Sequence, residues 1–466
     1  MEQIKNIDLK SLDKNLIYPI YLEQEINVQI TDTLNCNLNS IINKEYLKTT
    51  TIHTLNNFNF DTITFISLGS KDKVTTQTIR DVAKKIKTDK PSVIYLEEIE
   101  TSKLDINTIT TTFIESYLIE AYQEQKIGHE PHKISPIDII YSQNDLKEAI
   151  NKGVNLGNGI NYARKISDLP SNLMTPYDLV KEAKKLAQQY NMECTILDKD
   201  DLEKMNAGGI LSVNKGSDIP AYLICLKYTN GTGPYSAVIG KGITFDSGGY
   251  NIKKNSYGMK YDMCGGGDVL GIMQILAANH VKANVYGIIP TTENLINGGA
   301  YKPQDVITTL AKKTVEIVST DAEGRLILAD AITYAQQLGA TKLIDLATLT
   351  GACVAALGDL YTGVFSNDDD FYEKFAQCAK QSDEKAWRLP IAKEYFDKLK
   401  SNSADFKNSV GKPGAGASVA ANFLAAFVND DVKWIHLDIA GTADNDGTGA
   451  TGAMIRSVVN FIEVGS

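Results

Sequence analysis

The sequence predicts an α/β protein in two parts: a small N-terminal α/β domain over residues 1–150 and a larger α/β domain over 151–466, joined by a helix at about 145–165. Three observations predict it. A chain of 466 residues is longer than one ordinary core organises, so two domains follow. β-Branched runs of strand length alternate with stretches of helical period on both sides of residue 150, which is the pattern of sheets covered by helices. From about residue 170, glycine clusters follow the strand-like runs, where an α/β sheet gathers its ligands and backbone must approach closely.

In the first part, the strands are expected at 25–31, 62–68, 92–96 and 137–141, and the helices at 78–86 and 110–124. The alternation implies an open, largely parallel or mixed sheet. No cluster of chemical side chains appears there, so assembly, regulation or gating are its open roles. A long helix then runs from Asn144, read as its cap, to Lys165, with an apolar stripe of Ile150, Val154, Leu156 and Ile160. It stops before the proline-containing turn Ser167-Asp168-Leu169-Pro170-Ser171-Asn172. In the second part, strands are expected at 221–228, 237–240, 283–289, 314–318, 342–346 and 434–439, around a central buried sheet. Helices are expected at 268–279, 326–335 and 417–427.

Composition excludes several classes. With 43% hydrophobic and 22% charged residues the chain reads as globular. A net charge of −10 argues against broad nucleic-acid or anionic-membrane binding. No apolar run reaches membrane-spanning length, and the opening residues lack the charged-then-apolar order of a secretory signal, so a cytoplasmic location is expected. The six cysteines show no metal-type or redox-type spacing and read as buried free thiols. There are five histidines and no HExxH; the close pair His129 and His132 reads as a polar loop. Any metal is therefore expected mainly on oxygen ligands.

Three stretches carry the chemistry. In Val318-Ser319-Thr320-Asp321-Ala322-Glu323-Gly324-Arg325-Leu326, charges fall at every second position. Read as an extended segment, Asp321, Glu323 and Arg325 project from one face. Two acids side by side repel, and a divalent cation would give them a reason to be there. A solvated turn with Arg325 paired to Glu323 would explain the same pattern. The second stretch, Gly240-Lys241-Gly242-Ile243-Thr244-Phe245-Asp246-Ser247-Gly248-Gly249, directly follows a strand and leads to Lys253. The third, Met259-Lys260-Tyr261-Asp262-Met263-Cys264-Gly265-Gly266-Gly267, opens a helix. Neither has the frame of a phosphate-binding loop or of a nucleophile elbow. Alone, Asp246 is a turn residue and Asp262 an acid near a helix N-terminus. Together the stretches supply four carboxylates, Asp246, Asp262, Asp321 and Glu323, a charge that two divalent cations would balance. Lys241 could join them only as a neutral amine, leaving Lys253 and Arg325 cationic for substrate oxygens.

These stretches resemble the M17 leucyl (cytosol) aminopeptidase family, whose signature NTDAEGRL stands here as Ser319-Thr320-Asp321-Ala322-Glu323-Gly324-Arg325-Leu326. Further motifs agree in order: Met259-Lys260-Tyr261-Asp262-Met263, Glu293-Asn294, Ala300-Tyr301-Lys302-Pro303, Leu346-Ala347-Thr348-Leu349-Thr350-Gly351-Ala352 and His436-Leu437-Asp438-Ile439-Ala440-Gly441. The resemblance runs from about residue 163 to the C-terminus and is weak before that. It implies a central mixed sheet flanked by helices in the larger domain. It also implies release of the N-terminal residue of peptides, preferably leucine or a similar apolar residue, by water activated between two metals. Two divalent ions per subunit are implied, Mn2+ or Zn2+, with Mg2+ or Co2+ as substitutes. By resemblance the tighter site is Lys241, Asp246, Asp262 and Glu323, and the exchangeable site Asp246, Asp321 and Glu323. Lys253 matches the lysine that polarises the scissile carbonyl, and Arg325 the arginine that holds a bicarbonate ion. The substrate pocket is implied at Met259, Thr348, Leu349, Gly351, Ala440 and Ala443, and the assembly is implied to be a homohexamer.

The chain departs from the family pattern at Ser319 for Asn, at Lys254 for Pro, in a segment two residues shorter between Lys253 and Met259, and at Ala443 for a larger residue. The last of these predicts a roomier side-chain pocket. Other classes compatible with the residues are a different two-metal hydrolase such as a phosphatase, an inactive scaffold, and an aminopeptidase-fold protein with an added DNA-binding or regulatory role.

Overall fold

The computed structural model describes residues 1–5, 8–86, 90–124, 126–130, 133, 135–411, 414–447 and 449–465. They form two units, Met1–Asn158 and Gly159–Ser466. The division falls within the helix Lys147–Asp168. His132, half of the histidine pair, lies outside the described residues; His129 is exposed at the end of a turn.

The first unit holds a six-stranded sheet in the order Gln3–Ile4, Ile137–Ile140, Ser92–Tyr95, Asn15–Tyr21, Thr62–Gly69, Thr49–His53. All neighbours are parallel except the last pair. The strand Asn15–Tyr21 shows why it sits at the centre. Leu16, Tyr18 and Ile20 enter one core with Ile63, Phe65 and Val93. Ile17 and Tyr21 enter another with Ile79, Val82, Ile109 and Phe113, from the helices Thr76–Lys85 and Ile106–Ala121. Period two thus fills both faces with apolar side chains.

Several expectations for this unit need correction. Residues 25–31 are not a strand. Ile26, Val28 and Ile30 do alternate, but Val28 is 68% exposed, and the segment forms the helix Val28–Leu34. Asn27 caps that helix by accepting the Gln29 N–H at 2.9 Å. The strands Asn15–Tyr21 and Thr49–His53 have no counterpart in the sequence reading. The first carries Pro19, which cannot donate to a ladder; it is tolerated because Ser92–Tyr95 registers only with Asn15, Leu16 and Ile17. The helix expected from residue 110 begins at Ile106, where Asp105 accepts from the N–H groups of Asn107 and Thr108. At the start of the long helix it is Asp145, not Asn144, that accepts the Lys147 N–H, at 3.0 Å.

The second unit is built on a nine-stranded mixed sheet. Its order is Ala386–Arg388, Thr362–Ser366, Lys433–Asp438, Lys342–Ala347, Ser236–Gly240, Asn284–Asn294, Tyr222–Thr229, Glu193–Leu197, with Gly242–Asp246 also paired to Asn284–Asn294. The central strands Lys433–Asp438, Lys342–Ala347, Ser236–Gly240 and Asn284–Asn294 run parallel. Helices cover both faces. Tyr286 and Ile288 join Leu326, Ile327, Ala331 and Ile332 of the helix Gly324–Gln337 in one core. Between them Gly287 faces the other way, where a Cβ would stand 2.6 Å from Met273 of the helix Cys264–Ala278. The outermost strands are short, and one of them, Ala386–Arg388, has only three residues and carries an ion pair from Arg388 to Asp369. All six cysteines are free, four of them buried. No helix among the described residues is long and apolar enough to cross a membrane.

The helix Gly324–Gln337 is tied into this unit by Asp330, a fully buried carboxylate. Its oxygens accept the N–H groups of Leu310 at 2.8 Å and Ile210 at 2.9 Å, and burial pushes its pKa up to about 7. Asp330→Ala strands two buried donors and is expected to lower stability by at least about 2 kcal/mol. Asp369→Ala, which removes an exposed ion-pair partner, is expected to cost no more than about 1 kcal/mol. Urea midpoints of the two variants check the contrast; equal shifts would count against Asp330 as an anchor.

Candidate functional site

Parallel strands of this sheet end side by side, and the site lies just beyond their carboxyl ends. Ser236–Gly240 delivers Lys241, whose N–H donates to Leu346 O at 3.0 Å. The Lys241 side chain is almost wholly enclosed, so its ammonium needs a partner for every proton. It has three acceptors: Asp262 Oδ1 at 2.7 Å, Glu323 Oε1 at 2.9 Å and the Thr348 carbonyl at 2.9 Å. Gly324 makes room for it, because a Cβ there would stand 2.6 Å from Lys241 Cε.

Gly242–Asp246 delivers Asp246. Its Oδ1 accepts from Gly248 N and Asn294 Nδ2, both at 2.8 Å, and its Oδ2 pairs with Lys253 Nζ at 2.8 Å. The chain reverses through Gly248 at φ +86°, a conformation in which a side chain would meet Asn251 O at 2.5 Å and Asp321 Oδ1 at 2.9 Å. That reversal brings Lys253 back to the site, where its Nζ also meets Asp321 Oδ1 at 2.5 Å.

The stretch around Asp321 is not extended, contrary to the sequence reading. The strand stops at Glu316, residues 320–321 turn, and Glu323 stands at the N-cap of the helix Gly324–Gln337 with φ −80° and ψ −37°. Arg325 therefore lies in the first helical turn and does not share a strand face with the acids. Its Nη1 donates to the Asn408 carbonyl at 2.7 Å, its Nε has no hydrogen-bond partner, and burial pushes its pKa down to about 10. The acids converge all the same. One carboxylate oxygen from each of Asp246, Asp321 and Glu323 lies within 4.8 Å of the others. Asp262, in the 3-10 turn Met259–Met263, joins them through Lys241.

Charge is unbalanced here: four carboxylates face two lysine ammoniums. Burial pushes Asp262 up to about 8 and Asp246 up to about 6, and the charge of Glu323 adds to both. Glu323 moves the other way: burial opposes it, but Lys241 and Lys253 hold its pKa below the usual range. Both lysines are raised; burial works against them and the surrounding carboxylates prevail. Asp262 Oδ2 and Glu323 Oε2 are buried with no hydrogen-bond partner. Buried anionic oxygens without donors are costly, and hard divalent cations take such ligands. The donor set fits a metal centre.

Of the implied substrate residues, Thr348, Leu349 and Gly351 follow the strand Lys342–Ala347, Ala440 and Ala443 follow Lys433–Asp438, and Met259 opens the turn Met259–Met263. Thr348 follows Lys342–Ala347 and donates its hydroxyl to Asp262 Oδ1 at 2.8 Å. Leu349 and Ala440 donate their N–H groups to Asp438 Oδ1, both at 3.2 Å. Gly351 is exposed, with nothing within 4 Å of where a Cβ would stand, and Met259 is half-buried. Ala443 is instead enclosed, with its carbonyl accepting from Thr451 N at 2.9 Å and from the buried Cys264 thiol at 3.9 Å.

Three residues that organise the site had no role in the sequence reading. Fully buried Asn408 accepts from Val318 N at 2.8 Å and Ser319 N at 3.3 Å, and donates to the carbonyls of Ser319 at 2.6 Å and Ala322 at 3.3 Å. It clamps the turn that presents Asp321 and Glu323. Asn294 donates to Asp246 and also to Thr320 O at 3.0 Å. Asp438 ends a central strand and holds the 349–350 backbone. Asn294 and Asp438 fall inside motifs, which gave a signal; Asn408 falls in none.

Comparison with known proteins gives the family. The family profile described as "Cytosol aminopeptidase family, catalytic domain" matches residues 161–459. A "Probable cytosol aminopeptidase" of Bacillus subtilis (strain 168) is 44% identical over 367 residues, which cover 75% of this chain and 73% of that protein. The chain belongs to the cytosol aminopeptidase family and is an aminopeptidase, a hydrolase of peptide bonds.

Proposed function

We propose that this aminopeptidase is metal-dependent and removes leucine or a similar apolar residue from the free N-terminus of peptides. The observation that carries this reading is the convergence of Asp246, Asp321 and Glu323 within 4.8 Å, beside two orphaned carboxylate oxygens. Two divalent cations would be held by Lys241, Asp246, Asp262, Asp321 and Glu323. When bound, such a pair supplies Lewis acidity and a nucleophilic water at neutral pH. Manganese or zinc suits the set, with magnesium or cobalt as substitutes, because oxygen and amine donors accept all of them.

The chain's own residues do the rest. Lys241 becomes a ligand only after losing its ammonium proton, since the protonated amine offers donors and no lone pair. Lys253, the more accessible of the two lysines, stays cationic and steadies the negative charge that grows on the scissile carbonyl oxygen. A preorganised donor of this kind is typically worth about 10²–10³ in rate. Asp321 is the most exposed of the four acids and belongs to the exchangeable site. Arg325 keeps part of its guanidinium for a bicarbonate ion, the proposed proton acceptor. Thr348, Leu349, Gly351 and Ala440, with Met259 and Ala443, border the first side chain. A mainly apolar lining discriminates by only about 1–3 kcal/mol per methylene, so preference for leucine is graded. The protein is proposed to work in the cytoplasm as a homohexamer, with residues 1–150 serving assembly or gating.

Dialysis against a chelator is expected to abolish cleavage of leucyl p-nitroanilide, and adding back Mn2+ or Zn2+ to restore it. N-acetyl-leucyl p-nitroanilide is expected to stay uncleaved in every state. Activity that survives complete metal removal, verified by elemental analysis, would sink the reading. Glu323→Ala is expected to lower kcat/KM by at least about 10² while circular dichroism stays native; wild-type activity in that variant would refute the assignment of Glu323.

A further inference from the structure

We propose that Asp438 is a positioning residue for substrate, and that its bond to Thr350 sets the register of the loop 348–351. The inference rests on the aminopeptidase reading above. Asp438 closes the strand Lys433–Asp438 and is 1% exposed. Among the described residues no cation lies within salt-bridge distance of it, although the buried Arg325 guanidinium feels its charge. Its carboxylate is satisfied by local donors: Oδ1 accepts from Leu349 N and Ala440 N at 3.2 Å and from Thr350 N at 3.4 Å, and Oδ2 accepts the Thr350 hydroxyl at 2.6 Å. A buried carboxylate without an ion pair is expensive, and a plain turn does not require one.

What distinguishes this carboxylate is the set of groups that hang from it. Leu349 and Gly351 border the substrate from one segment, and Ala440 borders it from another. Leu349 and Ala440 donate to the same Asp438 oxygen, and Gly351 follows directly on Thr350, which both donates to Asp438 and opens the helix Gly351–Leu357. The two strands that carry these segments are neighbours in register, with Ala347 opposite Asp438. The other end of the loop is fixed to the acidic cluster, through the Thr348 hydroxyl on Asp262 and the Thr348 carbonyl on Lys241. One carboxylate therefore sets the spacing between the two walls that border the first residue of the peptide, while the metal-holding acids set the near end. Its loss should move binding of the substrate and leave the acidic cluster intact.

The test uses the full-length, metal-loaded enzyme and leucyl p-nitroanilide. Asp438→Asn keeps Oδ1 and replaces Oδ2 by a donor; Thr350→Val removes the hydroxyl; Thr350→Ser retains it. Thr350 Oγ1 also caps its helix by accepting Cys353 N at 3.0 Å, a contact that Asp438→Asn leaves in place. One hydrogen bond is worth about tenfold. Asp438→Asn and Thr350→Val are each expected to raise KM about tenfold, with kcat within threefold, while Thr350→Ser behaves as wild type. The double variant is expected to be no worse than the worse single, because both remove the same bond. Metal content should stay at the wild-type value in all three single variants, and the thermal midpoint in Thr350→Ser. An unchanged KM in Thr350→Val, multiplying effects in the double variant, or a fall in kcat that tracks lost metal would each overturn the proposal. If Asp438→Asn does not fold, the Thr350→Val and Thr350→Ser pair decides alone. A wild-type enzyme without activity on this substrate would sink the proposed preference for leucine instead.

Discussion

Like charges held in a dry volume dominate this protein. Asp246, Asp262 and Glu323 are buried, and Asp321 sits at their rim, so each anion loses water that would otherwise screen it from the next. Two lysine side chains lie between them, but two ammoniums do not balance four carboxylates. The surrounding structure resists the resulting repulsion with neutral donors. Asn294 and the Gly248 N–H hold Asp246, Thr348 holds Asp262, and Asn408 locks the backbone of the turn between Val318 and Ala322. Residues 241, 246, 294, 348 and 438 come from strand ends of the nine-stranded mixed sheet, Asp262 from the turn Met259–Met263, and Asp321 and Asn408 follow Thr314–Glu316 and Phe406–Lys407, two strands of a separate three-stranded sheet.

Much of this was legible in the sequence. The acids were legible only as a set: singly Asp246 reads as a turn residue, Asp262 as an acid at a helix N-terminus and Asp321 with Glu323 as a solvated turn, and the three stretches together, with the family resemblance, joined them. Their geometry was less legible. The spacing of Asp321, Glu323 and Arg325 fits an extended segment, yet the backbone turns after the strand and enters a helix at Gly324. Helical geometry keeps Glu323 on Lys241 while carrying Arg325 to the Asn408 carbonyl. Period alone could not distinguish these paths, since the stretch is too short to show a second repeat. Asn408 was invisible because its function is to bond backbone, which any residue has.

The same limit shaped the fold. Strands with a clear apolar core and flanking breaks, such as Ser92–Tyr95 and Lys342–Ala347, stand where the sequence puts them. Residues 25–31 have the right alternation, but one capping side chain, Asn27, and the exposure of Val28 show that local hydrogen bonding outweighed pattern. Asn15–Tyr21 was hidden by Pro19, whose missing donor matters only where a neighbour is in register on that side.

The margins of the nine-stranded sheet carry a consequence for assembly. A long apolar margin would invite a strand from another chain to continue the hydrogen-bond ladder. Here one margin is the three-residue strand Ala386–Arg388, too brief to template such an addition and flanked by charge. Growth by edge-to-edge stacking of copies is therefore disfavoured at that margin by the brevity of a single strand.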